Sequence, residues 1–263
     1  MALKQHIDVQ VRFDQQVDNS LHYVLPFIEQ TKALVPGTRV LEVGCAEGGV
    51  LKPFIDRGCK CVGVDLAASR IETAKSLQPE AVASGDVRFL AKNIYDEDFV
   101  QEYQHSFDVI ILKDVIEHVP EQEKFVPHLK IFLKEGGIIF FGFPPWQMPF
   151  GGHQQVAKNK FASLLPYYHL LPKGLYHRIL KAFGEHPEAI TELLEIKDTG
   201  ITIERFEKIV QASQLLVFNK QHFLINPIYK YKFGLKPRNQ WPLLSAIPYF
   251  RNYVTTCAYY TVG

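Results

Sequence analysis

The 263-residue sequence has only four cysteines, and no apolar run approaches the roughly 20 residues that a membrane-spanning helix requires. Cys59 and Cys61 are separated by one residue, which is too close for the C-x-x-C spacing of redox and zinc sites. We therefore interpret all four cysteines as reduced core thiols, and we predict no metal site. The first sixteen residues, MALKQHIDVQVRFDQQ, lack the apolar region of a secretory signal, which favours a cytoplasmic protein.

A strong excess of charge of either sign is also missing. The sequence has 29 basic and 28 acidic side chains, giving a formal net charge of +1. Nucleic-acid-binding domains usually carry a basic stripe, so this balance argues against a nucleic-acid partner. The hydrophobic fraction of 47% excludes disordered and coiled-coil classes, and the length permits one domain, residues 1–263, with insertions.

What the sequence does contain is an alternation of short β-branched runs with helical patterns between Gly37 and Phe143. This rhythm is typical of a parallel sheet wound with helices. It predicts strands at residues 39–43, 61–65, 87–92, 107–112 and 137–143. The helices predicted between them span residues 49–57, 69–77, 97–103 and 120–134, with the last one stopped by Gly136 and Gly137.

Beyond Phe143 the pattern changes. Prolines and paired glycines predict a long loop, followed by short amphipathic helices, and we interpret residues 151–199 as a helical lid. A helix capped by Thr202 and strands at residues 215–225 and 255–262 complete the predicted sheet, with residues 226–253 as a second insertion. The predicted fold class is α/β, a doubly wound seven-stranded and mostly parallel sheet with a helical lid.

A glycine-rich turn connects the first predicted strand to a helix, in the segment VLEVGCAEGGV. Gly44, Ala46 and Gly48 fall where free backbone N–H groups can face a ligand, and Asp65 follows Gly44 by 21 residues, the spacing of an acid that binds ribose hydroxyls. The turn can be aligned with the G-x-G-x-x-G pattern of NAD sites. Glu42 disfavours that alternative, because its carboxylate would repel a pyrophosphate.

Residues 42–48 (EVGCAEG) resemble the E/D-x-G-x-G-x-G motif of class I S-adenosylmethionine-dependent methyltransferases, with Ala46 in place of the middle glycine. Residues 63–66 (GVDL) are similar to the family's second motif. Residues 107–119 (FDVIILKDVIEHV) resemble the fourth-strand segment of the subgroup that includes ubiquinone-biosynthesis enzymes. The resemblance covers about residues 38–143, and it implies a Rossmann-like methyltransferase fold with S-adenosyl-L-methionine as the cofactor.

The same resemblance implies roles for individual residues. Glu42 would attract the methionyl amino group or its water, Asp65 would bind the ribose, and Leu66 would lie against the adenine. Lys113 and Asp114 take the position beneath the methionine end, while Asn93 replaces the acid that the family places near the adenine amine. The predicted cofactor-binding residues are Glu42, Gly44, Cys45, Ala46, Gly48, Asp65, Leu66, Asn93, Ile94 and Lys113.

Methyl transfer to a hydroxyl needs an aligned nucleophile and benefits from a base. His153 follows the fifth strand, whose carboxyl end should line the same crevice, and an imidazole that titrates near neutrality suits this role. Its alternative is a loop histidine that bonds a backbone carbonyl. Asp114 is the second catalytic candidate, with a helix N-cap as its alternative, and we interpret His118 as structural, within that helix.

The acceptor itself is less constrained. We predict O-methylation of a small molecule, and the aromatic residues after the fifth strand, Trp146 among them, suit an apolar pocket. The position of the lid and its LLPKG segment resemble quinone-biosynthesis O-methyltransferases, which makes a lipid-like acceptor and peripheral membrane contact plausible. The alternatives are a catalytically silent S-adenosylmethionine-binding protein and an NAD-dependent dehydrogenase.

Overall fold

A computed structural model describes residues 8–154 and 157–263 of the chain. Residues 1–7, which begin the segment predicted to lack a secretory signal, lie outside the described residues. So do residues 155 and 156, within the predicted lid.

One eight-stranded sheet forms the centre of the fold, in the order β3-β2-β1-β4-β5-β8-β6-β7. The first five strands pair in parallel, whereas β8 runs antiparallel to β5 and β6, and β7 antiparallel to β6. The strands are β1 Arg39–Val43, β2 Lys60–Asp65, β3 Val87–Ala91, β4 Phe107–Lys113, β5 Leu133–Phe143, β6 Val217–Ile225, β7 Arg238–Asn239 and β8 Cys257–Val262.

Helices cover both faces of the sheet and form most of the insertions. The chain begins with α1 Val9–Asn19, the π-helix Ser20–Val24 and α2 Leu25–Glu29, which precede β1. The remaining helices are α3 Lys52–Asp56, α4 Ala68–Leu77, α5 Pro79–Ala83, α6 Glu97–Tyr103, α7 Gln122–Leu129, α8 Lys160–Leu164, α9 Lys173–Ala182, α10 Pro187–Thr199, α11 Ile203–Ala212, α12 Tyr229–Phe233, α13 Pro242–Ser245 and α14 Arg251–Val254.

The core has two layers because successive strand residues point to opposite faces of the sheet. Leu41 of β1 and Ile110 of β4 contribute to one buried cluster, and Val40 and Val109 contribute to the cluster on the other face. Strands that are apolar on both faces are typical of a sheet covered by helices on each side. The α/β fold class predicted from the sequence is therefore confirmed, with β1 and β4 at its centre.

Three local predictions were wrong. The predicted glycine stop at residues 136 and 137 lies inside β5, because α7 ends at Leu129 and a short 3₁₀ turn, Lys130–Phe132, leads directly into the strand. The predicted helix over residues 49–57 is shorter, since the glycine loop continues to Leu51 before α3 begins. The sheet has eight strands instead of the predicted seven. The additional strand, β7, has only two residues in the second insertion, too few to form an alternating pattern in the sequence.

The segment predicted as a lid packs around its own apolar cluster. Tyr176, Leu180 and Leu193 lie at its centre, so α9 and α10 bury side chains against each other. The second insertion, residues 226–253, contains α12, β7, α13 and α14. Among the described residues, we find no helix with the length and apolar character needed to cross a bilayer.

Candidate functional site

A cavity of about 300 Å³ opens at the carboxyl ends of β1 and β4. The strand order reverses between these two strands, and such a switch point is where ligands bind in open α/β sheets. A larger crevice, near Gly136 and Phe218, opens at the opposite end of β5 and includes none of the predicted site residues. The cavity at the switch point is lined by Arg12, Gln16, Asn19, Glu42, Gly44, Cys45, Ala46, Glu47, Val50, Arg70, Lys113, Asp114 and Ile228.

The glycine loop, residues 44–49, is held against the end of β2. The N–H groups of Gly44 and Cys45 both donate to the carbonyl oxygen of Val64, at 2.8 and 3.0 Å. Gly44 has a φ of +71°, and a Cβ there would lie 2.6 Å from Val115. Ala46, which replaces the family's middle glycine, adopts a φ of +47° and so keeps a glycine-like backbone. The turn therefore retains its shape despite the alanine.

Asp65 holds the glycine loop through backbone hydrogen bonds. One carboxylate oxygen accepts from the backbone N–H of Ala46 and the other from that of Ala67, each at 2.9 Å. Each oxygen keeps a second lone pair, so the carboxylate can still accept hydrogen bonds from a ligand. Gly48, within the loop, is tightly packed as well, because a Cβ there would come within 2.6 Å of the ring of Phe89.

Glu42 and Lys113 approach the cavity from the same face of the sheet. Glu42 is 2% exposed, and its Oε2 atom has no hydrogen-bond partner among the described residues. Burial, with the nearby charge of Asp65, raises the pKa of Glu42 well above its usual value despite the opposing ammonium of Lys113. The site thus contains a buried carboxyl group whose neutral form is favoured by its burial.

Lys113 reaches the site across Gly142 of β5. A Cβ at residue 142 would lie 2.8 Å from Cδ of Lys113, so any larger residue would force the lysine side chain to shift. Its ammonium group forms an ion pair with Asp114. Burial acts to raise the pKa of Asp114, but this ammonium outweighs burial and holds the pKa below its usual value. Asp114 is therefore a carboxylate at neutral pH.

Three predicted cofactor residues lie away from the cavity. Leu66 is 75% exposed beyond the end of β2, and Ile94 is buried in the apolar core. Asn93 is exposed, and its side-chain oxygen accepts from the backbone N–H of Tyr95. The structure thus brings five predicted cofactor residues together at the cavity: Glu42, Gly44, Cys45, Ala46 and Lys113. Asp65 is hydrogen-bonded to Ala46 of this set. The remaining four, Gly48, Leu66, Asn93 and Ile94, are not among the lining residues.

His153 lies beside His118, with ring centroids 4.8 Å apart and the rings at 71° to each other. Burial and the neighbouring His118 lower the pKa of His153 to about 4, so the sequence-based expectation of titration near neutrality is wrong. The imidazole is neutral at pH 7 and able to accept a proton. His153 interacts electrostatically with Asp114, which lines the cavity, although His153 itself is not among the lining residues.

The structure also gathers a set of metal-capable side chains that the sequence did not suggest. Ligand atoms of Glu117, His118 and His153 all lie within 4.8 Å of one another. Glu117 is 3% exposed, and neither of its carboxylate oxygens has a hydrogen-bond partner among the described residues. Carboxylate and imidazole donors at this separation suit a divalent cation. The sequence missed the set because His153 is far from the other two residues along the chain.

Two structural alternatives for this segment were wrong. His118 lies in a 3₁₀ turn, Ile116–His118, and not in a helix, because α7 begins only at Gln122. Asp114 does not cap that helix: its carboxylate accepts from Lys113, and its backbone N–H donates to Gly142 at 2.7 Å. The predicted aromatic pocket is also absent from the described cavity lining, since the Trp146 ring packs against Gly200 and His169.

Sequence reasoning overlooked the residues that cover the cavity. Arg12, Gln16 and Asn19 come from α1, and Gln16 accepts from the backbone N–H of Gly49 at 3.3 Å. A signal was present, since Asp8 is an N-cap that accepts from the N–H groups of Gln10 and Val11. Arg70 on α4 and Ile228 beside α12 gave no local signal.

Comparisons with known proteins agree with this arrangement. The family model described as a methyltransferase domain matches residues 12–173, which is more than half of the chain. A ubiquinone biosynthesis O-methyltransferase of Leptothrix cholodnii is 32% identical over 124 residues, covering 46% of this chain and 52% of that protein. The chain thus spans about half the length of the curated relatives it matches first.

Solved structures share the fold at low sequence identity. A putative sarcosine dimethylglycine methyltransferase from Galdieria sulphuraria gives a TM-score of 0.59 at 12% identity, over 93% of this chain and 84% of that one. The geranyl diphosphate C-methyltransferase of Streptomyces coelicolor, solved with Mg²⁺, geranyl diphosphate and S-adenosyl-L-homocysteine, gives 0.56 at 14%, over 90% and 78%. The Rossmann-like methyltransferase fold predicted from the sequence is confirmed.

Proposed function

Because this chain belongs to the methyltransferase domain family, we propose that it is an S-adenosyl-L-methionine-dependent methyltransferase that acts on a hydroxyl oxygen of a small molecule. The observation that carries the proposal is the cavity at the junction of β1 and β4. Two buried polar atoms at this cavity, Glu42 Oε2 and Asn19 Nδ2, have no hydrogen-bond partner among the described residues. Such atoms are costly to bury unless a ligand engages them.

The residues present fit this cofactor. Asp65 would accept hydrogen bonds from the ribose hydroxyls with its remaining lone pairs. The backbone of the glycine loop would pack against the cofactor. Glu42 and Asn19 offer an acceptor and a donor for the charged methionyl end. When bound, the cofactor supplies a methyl group on a sulfonium centre, which a nucleophile attacks in line. A cation next to Glu42 would favour the ionised form of this carboxyl group.

His153 is the proposed proton acceptor. Its imidazole is neutral at pH 7, and the carboxylate of Asp114, which lines the cavity, is near enough to act on its pKa. It would take the proton of an acceptor hydroxyl as the oxygen is methylated. A divalent cation held by Glu117, His118 and His153 is the second way in which these residues would favour a deprotonated oxygen.

Chelation separates these two roles. Turnover of the wild-type protein is measured before and after dialysis against EDTA, and again after Mg²⁺, Mn²⁺ or Zn²⁺ is returned. Loss of turnover on dialysis, with recovery on one added cation, supports the metal role. Unchanged turnover after dialysis supports His153 acting as a base alone.

Cofactor binding is tested by calorimetric titration with S-adenosyl-L-homocysteine and with NAD. We expect S-adenosyl-L-homocysteine to bind and NAD not to bind, and the relatives named above give no support to the dehydrogenase or silent-protein alternatives.

Gly48→Val should abolish binding of S-adenosyl-L-homocysteine, because residue 48 has a φ of +77° and a side chain there would collide with Phe89. Gly85→Val is the matched control, with a φ of +70° and open space around it. Binding of NAD alone would overturn the proposal.

The proposed acceptor is amphipathic, and the protein would meet it at an anionic membrane surface. Residues 151–184 and 226–253 contain no Asp or Glu, and each segment contains five Lys or Arg. Exposed apolar side chains accompany this charge, including Phe161 at 80%, Trp241 at 69% and Leu243 at 83%. The Tyr167 hydroxyl donates to the Tyr253 carbonyl at 3.3 Å, so the two segments meet.

This membrane contact is measurable by sedimentation with vesicles. We expect the protein to bind vesicles that contain phosphatidylglycerol more strongly than vesicles of phosphatidylcholine alone, because exposed basic residues are attracted to anionic lipid. Trp241→Ser with Leu243→Ser should weaken binding at least tenfold. Leu216→Ser is the matched control, since Leu216 is 70% exposed outside both segments. Equal sedimentation of all variants would contradict the contact. A cytoplasmic location at such a surface is part of the proposal.

A further inference from the structure

Arg70 is a cation at the cavity whose role the proposed chemistry leaves open. It lies near the start of α4, is exposed, and lines the same cavity as Asp114. Within residues 8–154 and 157–263 its guanidinium group forms no ion pair and no hydrogen bond. Its positive charge also reaches His118, where it adds to burial in lowering the pKa of that imidazole. Arg70 thus lines the cavity and acts electrostatically on His118.

The other two cations lining the cavity have acidic partners. Arg12 forms an ion pair with Glu47, and Lys113 forms one with Asp114. The charges of these two pairs largely cancel. Burial and the charge of Asp65 raise the pKa of Glu42, which favours its neutral form. The guanidinium group of Arg70 is therefore a net positive charge at the cavity.

A second cation enters from the second insertion. Lys232 lies one helical turn after Ile228, which lines the cavity, and the backbone N–H of Lys232 donates to the carbonyl of Ile228 at 3.0 Å. Residues four apart share a face of a helix, so Lys232 lies on the cavity side of α12. Its half-buried ammonium group faces Asp114, which already pairs with Lys113. The charge of Lys232 therefore acts on this part of the cavity.

From these positions we infer that the methyl acceptor carries an anionic oxygen group, a carboxylate or a phosphate, which Arg70 and Lys232 bind from opposite sides of the crevice. The inference rests on the proposed function, since it names the acceptor class for that site. A guanidinium group binds such oxygens through two parallel hydrogen bonds, and an ammonium group binds them as a point charge. The two residues come from α4 and α12, so neither belongs to the glycine loop or to the proposed proton acceptor. They are specificity-determining residues.

The test uses the full-length protein saturated with S-adenosyl-L-homocysteine. Phenol, 4-hydroxybenzoate and 4-hydroxyphenyl phosphate are titrated by ligand-observed nuclear magnetic resonance. We expect at least one of the two anions to bind ten times more tightly than phenol, and the tighter of the two identifies the group. Arg70→Gln and Lys232→Gln should each reduce this advantage to threefold or less. Lys208→Gln, which removes an exposed charge from α11, should preserve the advantage.

Three results would overturn the inference. One is equal binding of phenol and both anions, and another is binding of none of the three probes. The third is a tenfold loss of S-adenosyl-L-homocysteine affinity in Arg70→Gln, which would assign the guanidinium group to the cofactor. The affinity for S-adenosyl-L-homocysteine is measured first. Its absence in the wild-type protein would overturn the proposed function and this inference with it.

Discussion

The carboxyl ends of the parallel strands and the two insertions are built in different ways. At the strand ends, the register of β1 with β2 and β4 fixes where Glu42, the glycine loop and Lys113 lie. In the insertions, apart from the two-residue strand β7, side chains make attachments such as those of Arg251 to Glu204 and Glu207. A ladder register fixes position through many backbone hydrogen bonds, whereas an insertion depends on a few contacts. The strand ends are therefore suited to hold a common cofactor, and the insertions to select the acceptor.

The largest expected effect tests whether an insertion supplies chemistry to the strand-end site. His153→Ala should lower the turnover number by roughly 10² to 10⁴ and leave cofactor affinity nearly intact, because it removes the proposed proton acceptor without touching the glycine loop. Steady-state kinetics on the best acceptor and calorimetry provide the two measurements. His177→Ala, another lid histidine, should leave both unchanged. Full turnover in His153→Ala would confine the chemistry to the strand ends.

The attachment of the second insertion is tested through stability. Arg251 and Asn252 of α14 bind the half-buried or buried carboxylates of α11, and Arg251→Ala would leave Glu204 and Glu207 without their main cation. We expect a loss of about 3 kcal/mol in the free energy of unfolding, measured by denaturant titration. Arg238→Ala, an exposed arginine of the same insertion, should change it by less than about 0.5 kcal/mol. Equal effects of the two variants would mean that the network does not hold the insertion.

The same network gives the stability a pH dependence. Burial acts to raise the pKa values of Glu204 and Glu207, but hydrogen bonds outweigh burial and leave both pKa values lowered. Glu204 accepts from Tyr249, Asn252 and Arg251, and Glu207 accepts from Arg251 and Lys220. A glutamate with a lowered folded-state pKa stabilises the fold above the unfolded pKa of about 4.3, and this contribution is lost as the pH falls through the folded pKa. The wild-type protein should therefore lose more unfolding free energy than Arg251→Ala below about pH 4.3.

A smaller effect is expected at the strand-end site itself. Asp65→Ala should weaken binding of S-adenosyl-L-homocysteine by at least about tenfold, because hydrogen bonds to a charged acceptor contribute roughly 1.5 to 3 kcal/mol each. The variant should fold, and calorimetry gives the affinity. Asp65→Asn retains one acceptor oxygen and should lose less. Unchanged affinity in Asp65→Ala would show that the ribose is bound elsewhere.

The smallest expected difference is dynamic. The lid helices bury their side chains mainly against one another, so we expect their amides to exchange faster than those of β1, β4 and β5. Hydrogen exchange measured by mass spectrometry compares these segments, with and without S-adenosyl-L-homocysteine. We expect the cofactor product to slow exchange in the lid. Protection equal to that of the strands, unchanged by ligand, would make the lid a fixed part of the core.

Local patterns predicted the parallel half of the sheet well. The first strand was placed at its observed bounds, Arg39–Val43, because an apolar run ending at a glycine turn has one consistent interpretation. The end of α7 was misplaced because Gly136 and Gly137 resemble a helix stop, although β5 continues through them. The pairing of Leu133 with Phe107 decided that boundary, and no local pattern reports such a pairing.

The sequence by itself determined the α/β fold, the position of the glycine loop and the acid at the end of β2, since each depends on residues close together in the chain. Only the tertiary structure brought α1 over the cavity, placed His153 against His118, and brought the charge of Lys232 near Asp114 and Arg70 into the cavity lining. These residues are separated along the chain by tens to more than a hundred positions. The physical reason is that hydrophobic periodicity and turn chemistry depend on residues a few positions apart. A site also depends on helices from distant parts of the chain that pack beside the strand ends.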